Sequence, residues 1–202
     1  YDTGEHSAIA LKSNFRTEES IARRLITLQA RTADFRVDVK DAVKRFEEEA
    51  GFTLHPNQVE AVREAVENGV QIVTGGPGTG KTTIVKCILH LFKNLGQRVA
   101  LCAPTGRAAK RLSEATGEEA KTIHRLLDLD YKDGQGCFTY NDQTRLPVDV
   151  VIVDEMSMVD EYAFNALVKA INNGARLVLV GDKDQLASVG AGNVLGDLIG
   201  CG

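Results

Sequence analysis

Two rhythms of apolar residues alternate along this chain: short continuous runs, and faces that repeat every three or four positions. That is the pattern of buried strands set between amphipathic helices. Residues 1–14 carry no clear period. From Thr17 the pattern is helical, with Glu18 and Glu19 in the first turn and Ile21, Leu25 and Leu28 on one face. A second helix is predicted over Val39 to Ala50 and stops at Gly51. Pro56 suits the first position of a third, whose Val59, Val62 and Val66 run toward Gly69.

Beyond Gly69 the strand signals begin. Val70–Thr74 is a strand, Thr83–Phe92 a helix ending near Gly96, and Arg98–Ala103 a second strand. Thr105 is a candidate N-cap for the helix that follows, and Thr122–Leu129 reads as a short helix. Residues 131–147, with Gly134, Gly136, Asn141 and Asp142, read as a loop or small hairpin inserted between core elements. Val148–Val153 is a third strand. Asp160 caps a helix stopped by Gly174, Arg176–Val180 is a fourth strand, and Val194–Ile199 begin a last helix. Strands separated by helices predict an α/β fold around a parallel sheet.

At 202 residues the chain can bury one good core with a small appended part. No apolar run approaches the ~20 residues of a membrane helix, and no signal peptide is visible, so a cytoplasmic protein without membrane contact is expected. Cys87, Cys102, Cys137 and Cys201 form no C-x-x-C pair, which argues against zinc and disulfides. A net charge of −4 does not advertise nucleic-acid binding, but a local basic face would suffice for it.

The chemistry concentrates at Gly75-Gly76-Pro77-Gly78-Thr79-Gly80-Lys81-Thr82, which fits G-x-x-x-x-G-K-[ST] between a strand and a helix. Its glycines let the backbone approach an anion, and the first helical turn offers unpaired N–H groups to phosphate. Gly76 through Thr83 are therefore the expected nucleotide-binding residues. Lys81 would meet the β- and γ-phosphates, and Thr82 would ligate magnesium. Asp154 and Glu155 close the third strand downstream. Asp154 is placed to hold Mg2+, commonly through water, and Glu155 to act on the attacking water as general base.

Three other features stay ambiguous on residues alone. Gln58, seventeen positions before Gly75, is as readily a solvated helix residue as a ligand. Arg107, Lys110 and Arg111 share a helical face that could grip phosphates or simply meet water. Gln185, in the polar cluster after the fourth strand, could touch the γ-phosphate.

From about Leu54 to Ile199 the motifs together resemble the first motor domain of superfamily 1 helicases, most closely RecD-like DNA helicases of the exodeoxyribonuclease V alpha-subunit type. GGPGTGKT matches motif I, APTGRAAKRL motif Ia, TIHRLL motif Ib, VIVDEMSMVD motif II and LVLVGDKDQLASVGAGNVLGDL motif III. The resemblance implies a RecA-like P-loop NTPase fold and a DNA helicase driven by ATP and Mg2+, moving 5′ to 3′, in recombination or repair. It implies that Gln58 reads adenine and that Gln185 couples to the γ-phosphate. Pro104, Thr105, Gly106, Arg107 and His124 would contact single-stranded DNA. Repair or recombination subunits are the implied protein partners. On this reading residues 1–51 are a helical lead-in and 52–202 the motor domain, with 131–147 as a small accessory insert.

Two positions depart from that pattern. His55 stands where Ser, Asn or Asp is usual, implying a weaker or different helix cap, and Ala187 stands where a proline often follows. The chain also reads as part of a longer protein, because no second motor domain follows Gly202. The arginine that such a domain brings to the γ-phosphate would be missing, so slow turnover and no unwinding by this chain alone are expected. A P-loop kinase or other NTPase would share motifs I and II but gives no reason for APTGRAA or GDKDQ. A nucleotide-binding switch would need no Glu155.

Overall fold

The computed structural model describes residues 11–30, 37–132, 135–185 and 188–201. Strands β1 (Val70–Thr74), β2 (Val99–Ala103), β3 (Ala120–Thr122), β6 (Val150–Val153) and β7 (Arg176–Gly181) form one sheet in the order β1-β7-β6-β2-β3, and every pairing is parallel. β4 (Leu129–Lys132) and β5 (Gln135–Phe138) make a separate antiparallel hairpin.

Helices cover both faces of the sheet, which is why its central strands read as unbroken apolar runs. Val151, Val153, Leu177 and Leu179 point into a core shared with α1 (Lys12–Ala30), α6 (Ile123–Leu126), α7 (Glu161–Ala170) and α8 (Val194–Cys201). Their neighbours Val150, Ile152, Val178 and Val180 point the other way, to α2 (Val39–Ala50), α3 (Pro56–Glu67), α4 (Lys81–Asn94) and α5 (Gly106–Thr116). Cys87 on this side and Cys102 on the other are buried free thiols, and burial pushes both up to about 12. Arg176, buried at the start of β7, donates through Nε and Nη2 to the Val66 carbonyl (2.9 and 2.7 Å) and lies 5.7 Å from the Phe92 ring centre. It ties the end of α3 to the sheet.

The predicted elements stand with a few differences. α1 starts at Lys12 rather than Thr17, because its first turn is polar and shows no period. α6 is one turn long, since Leu129 already pairs with Phe138 in the hairpin. β3 is a fifth strand that the apolar pattern does not reveal: three residues at the sheet edge, in register with Leu101–Ala103. Gly51 caps α2 at φ +73°, and Asp160 accepts from the Ala163 N–H (2.8 Å) at the start of α7, both as expected. Gly134 and Ala187 lie outside the described residues.

Candidate functional site

The carboxyl ends of β1, β7, β6 and β2 share one edge of the sheet, and four motifs emerge there side by side. The phosphate loop follows β1, and Gln185 follows β7. Asp154 and Glu155 follow β6, and the basic helix α5 follows β2. Because β7 lies between β1 and β6, Gln185 leaves the sheet between the phosphate loop and the acid pair.

The loop itself is built from its glycines and Thr79. Gly78 and Gly80 take φ +77° and +85°, a left-handed backbone open to glycine. Thr79 Oγ1 donates to the Gly76 carbonyl (2.9 Å) and closes the turn. The first turn of α4 follows at once, with the Ile84 N–H donating to Gly80 O (3.0 Å). Thr82 is exposed at that turn and Thr83 half-buried. Lys81 Nζ donates to the carbonyls of Gly75 and Gly76, the latter at 3.0 Å. These are bonds that an incoming phosphate would exchange for its own oxygens.

Gln58 sits against this loop. Its Oε1 accepts from the His55 N–H (2.9 Å) and its Nε2 donates to Thr79 O (3.2 Å). His55 does cap α3, in a different way from the usual residues: its Nδ1 accepts from the Asn57 N–H at 3.3 Å. His55, Gln58, Gln71, Thr79 and Lys81 line a cleft of about 470 Å³ beside the loop, a size that admits a nucleotide base and sugar.

Asp154 and Glu155 occupy an electrostatically tense corner. Burial raises Asp154, while the Glu155 N–H on its Oδ1 (2.9 Å) and the charge of Lys81 pull it back. Burial also raises Glu155, and the adjacent Asp154 adds to that, whereas Lys81 and Arg111 oppose it. Glu155 stands at φ +54°, an uncommon backbone for a residue with a side chain. A cation at this corner would relieve a buried carboxylate beside a phosphate cradle, so the donor set fits magnesium. Among the described residues no three His, Cys, Asp or Glu side chains gather as a ligand set. Magnesium beside a nucleotide needs few protein ligands, because it keeps several waters. Asp154 and the Thr82 hydroxyl are the groups that would hold it.

Asp182 is a site residue that motif spacing alone does not single out. It is 3% exposed, its Oδ1 accepts from the Asp184 N–H (3.0 Å), and its carbonyl accepts from the Gln185 N–H (3.2 Å). It shapes the turn that presents the exposed Gln185. On α5, Thr105 caps the helix by accepting from the Ala108 N–H (3.2 Å). Arg107, Lys110 and Arg111 are exposed, and Arg111 faces Glu155 closely enough to lower it. His124 is exposed on α6, tilted 6.1 Å from the Phe138 ring of the hairpin.

A parallel sheet with a phosphate loop after one edge strand, and an acid pair two strands away, defines a P-loop NTPase of the RecA-like kind. The family described as the AAA domain matches residues 58–191, more than half of the chain, and the chain belongs to that family. Its sequence is RecD-like. It is 44% identical over 139 residues to the ATP-dependent RecD2 DNA helicase of Deinococcus radiodurans, covering 69% of this chain and 19% of that protein. It is 45% identical over 165 residues to the RecBCD enzyme subunit RecD of Mycobacterium tuberculosis, covering 70% of this chain and 28% of that one. The chain thus spans under a third of the length of these relatives. Among solved structures, the Pif1 helicase from Candida albicans superposes with a TM-score of 0.50 at 27% identity, over 68% of this chain and 34% of that one. A Pif1 helicase studied at forked double-stranded DNA gives 0.51 at 21%, over 74% and 38%, a likeness of fold.

Proposed function

We propose that this chain is the first ATP-binding motor domain of a RecD-like DNA helicase. It binds ATP with Mg2+ in the cleft between the phosphate loop and Gln58, and single-stranded DNA along Pro104–Arg107 and His124. Lys81 meets the β- and γ-phosphates, and magnesium supplies charge stabilisation there. Glu155 takes the proton of the attacking water, and Gln185, held by the Asp182 turn, contacts the γ-phosphate. The whole protein would couple this to 5′–3′ translocation on DNA, in the cytoplasm, with repair or recombination subunits as partners. Residues 52–202 form the motor domain, 131–147 its insert and 1–51 the lead-in.

One observation carries the reading. Gln185 leaves the inner strand β7 between the phosphate loop and Asp154–Glu155, while α5 leaves β2 on the other side of the acids. A basic helix so placed offers phosphate contacts to a nucleic-acid strand beside the bound nucleotide. Calorimetric titration with Mg-ATP and anisotropy with a labelled single strand test it: both ligands bind, and Arg107→Ala weakens the DNA alone. ATP binding without any DNA binding at low salt would point to another substrate.

A further inference from the structure

A cluster of cations that the site above does not use lies away from the nucleotide edge. Arg16, Arg23 and Arg24 of α1, Arg145 of the segment leading to β6, and Lys169 of α7 line one groove of about 430 Å³. Glu19 and Asp142 are the two carboxylates among them, and Glu19 is paired with Arg23 (2.7 Å). The groove lies at the end of α7: Arg24 Nε donates to the Val168 carbonyl (2.9 Å), another of its nitrogens donates to Ile171 O, and the Leu146 N–H donates to Ala170 O (2.8 Å). Since α7 starts at the nucleotide edge and is ten residues long, its end is roughly 15 Å away from that edge.

Arg24 is occupied in closing α7 and Arg23 is half neutralised. Arg16, Arg145 and Lys169 make no ion pair among the described residues, and Arg145 Nη1 is sealed from water with no hydrogen-bond partner. No ligand in the groove reaches that sealed nitrogen; what the groove offers is the uncompensated charge of Arg16, Arg145 and Lys169. None of the lining residues is apolar, whereas protein partners anchor on buried aromatic or aliphatic side chains. Along α1, Arg16, Ser20, Arg23 and Thr27 set polar groups over twelve residues, roughly 16 Å, long enough to follow several phosphates.

We propose that the groove between α1, the end of α7 and the 139–146 segment is a second, sequence-independent anchor for the phosphodiester backbone of nucleic acid. It rests on the reading of this chain as a DNA-binding motor, but not on the contacts assigned to α5. The anchor would hold strand or duplex away from the ATP edge and add to affinity without touching nucleotide.

The test is anisotropy of a labelled single-stranded oligonucleotide with the full chain, across a salt series, for wild type, Arg16→Gln/Lys169→Gln, Arg145→Gln and Arg107→Ala. Each lost phosphate contact lowers the slope of log affinity against log salt by about 0.7, so the double variant should lose about 1.4. Its low-salt affinity should fall at least tenfold with Mg-ATP affinity unchanged, and the two exchanged surface side chains leave the fold intact. Unchanged slopes in both groove variants, with Arg107→Ala weakened, would overturn the anchor and leave the motor reading standing. Weakened groove variants with an unaffected Arg107→Ala would keep the anchor and remove the α5 track. No wild-type DNA binding at low salt would overturn both. Displacement of the oligonucleotide by poly-glutamate as readily as by unlabelled DNA would overturn it in favour of an acidic protein segment, and equal displacement by inorganic tripolyphosphate in favour of a small free anion.

Discussion

The side-chain amide of Gln58 donates to the carbonyl of Thr79 at 3.2 Å, so the first turn of α3 is fastened to the phosphate loop before any nucleotide enters. The same side chain accepts from the His55 N–H at 2.9 Å. One residue thus joins a helix cap to the loop that must hold a triphosphate. A base bound in the adjoining cleft would meet an amide already oriented from both ends. A Cβ at Gly80 would meet Gln58 Nε2, so an alanine there could be seated only by pushing the Gln58 amide off the loop.

Gly80→Ala is therefore expected to damage both stability and binding. Its φ of +85° disfavours alanine by about 1–2 kcal/mol, and the Gln58 amide must swing away from Thr79 O to make room. Thermal unfolding should show a midpoint lower by roughly 2–8 °C, and titration should show weaker ATP. Gln58→Ala should lower ATP affinity several-fold with a smaller loss of stability. An unaltered affinity would confine Gln58 to capping α3.

Lys81→Ala removes the ammonium that now donates to Gly75 O and Gly76 O. Calorimetry should show Mg-ATP affinity reduced at least tenfold while the melting temperature stays near that of the parent.

Asp154 and Glu155 make a prediction about pH. Both carboxylates are raised by burial in the folded chain. A raised acid holds its proton more tightly folded than unfolded, so its unfavourable contribution sets in as pH rises through the unfolded-state value and is complete above the folded one. Asp154→Asn and Glu155→Gln should each raise the ligand-free melting temperature at neutral pH, and the gain should vanish toward pH 3. Glu155→Gln should also bind Mg-ATP like the parent while losing hydrolysis by two orders of magnitude or more.

Asp182 acts through the turn it shapes rather than on ATP itself. Asp182→Ala releases the Asp184 N–H and loosens Gln185, whereas Asp182→Asn keeps an acceptor at the same place. The alanine variant should lose about tenfold in hydrolysis at saturating ATP with little change in affinity, and the asparagine variant should recover most of it. Equal defects in both would mean that the charge matters, not the turn.

Much of this site could be read from residues because its logic is local. A phosphate loop needs glycines, a lysine and a hydroxyl at fixed spacing, and a buried strand ending in Asp154-Glu155 announces itself by its apolar run. Thr105 and Asp160 are short-range caps, and the structure places both as the spacing suggested. What depends on distant contacts was not visible. β3 is three residues, Ala-Lys-Thr, made a strand by the edge of β2 and not by its own pattern. Asp182 looks like any loop acid until the fold buries it. His55 is a poor cap by residue preference, yet its Nδ1 does the work that a Ser or Asp oxygen would. Arg111 reads as part of a basic face with no stated neighbour until β2 and β6 pair and bring it to Glu155.

Linkage between ATP chemistry at the β1 and β6 edge and DNA held on α5 can be measured by single-turnover ATP hydrolysis at low salt with and without a single-stranded oligonucleotide. Hydrolysis should be faster with DNA, a stimulation that Arg107→Ala reduces and Glu155→Gln abolishes. Intact Mg-ATP binding, with a hydrolysis rate that DNA leaves unchanged, would contradict it.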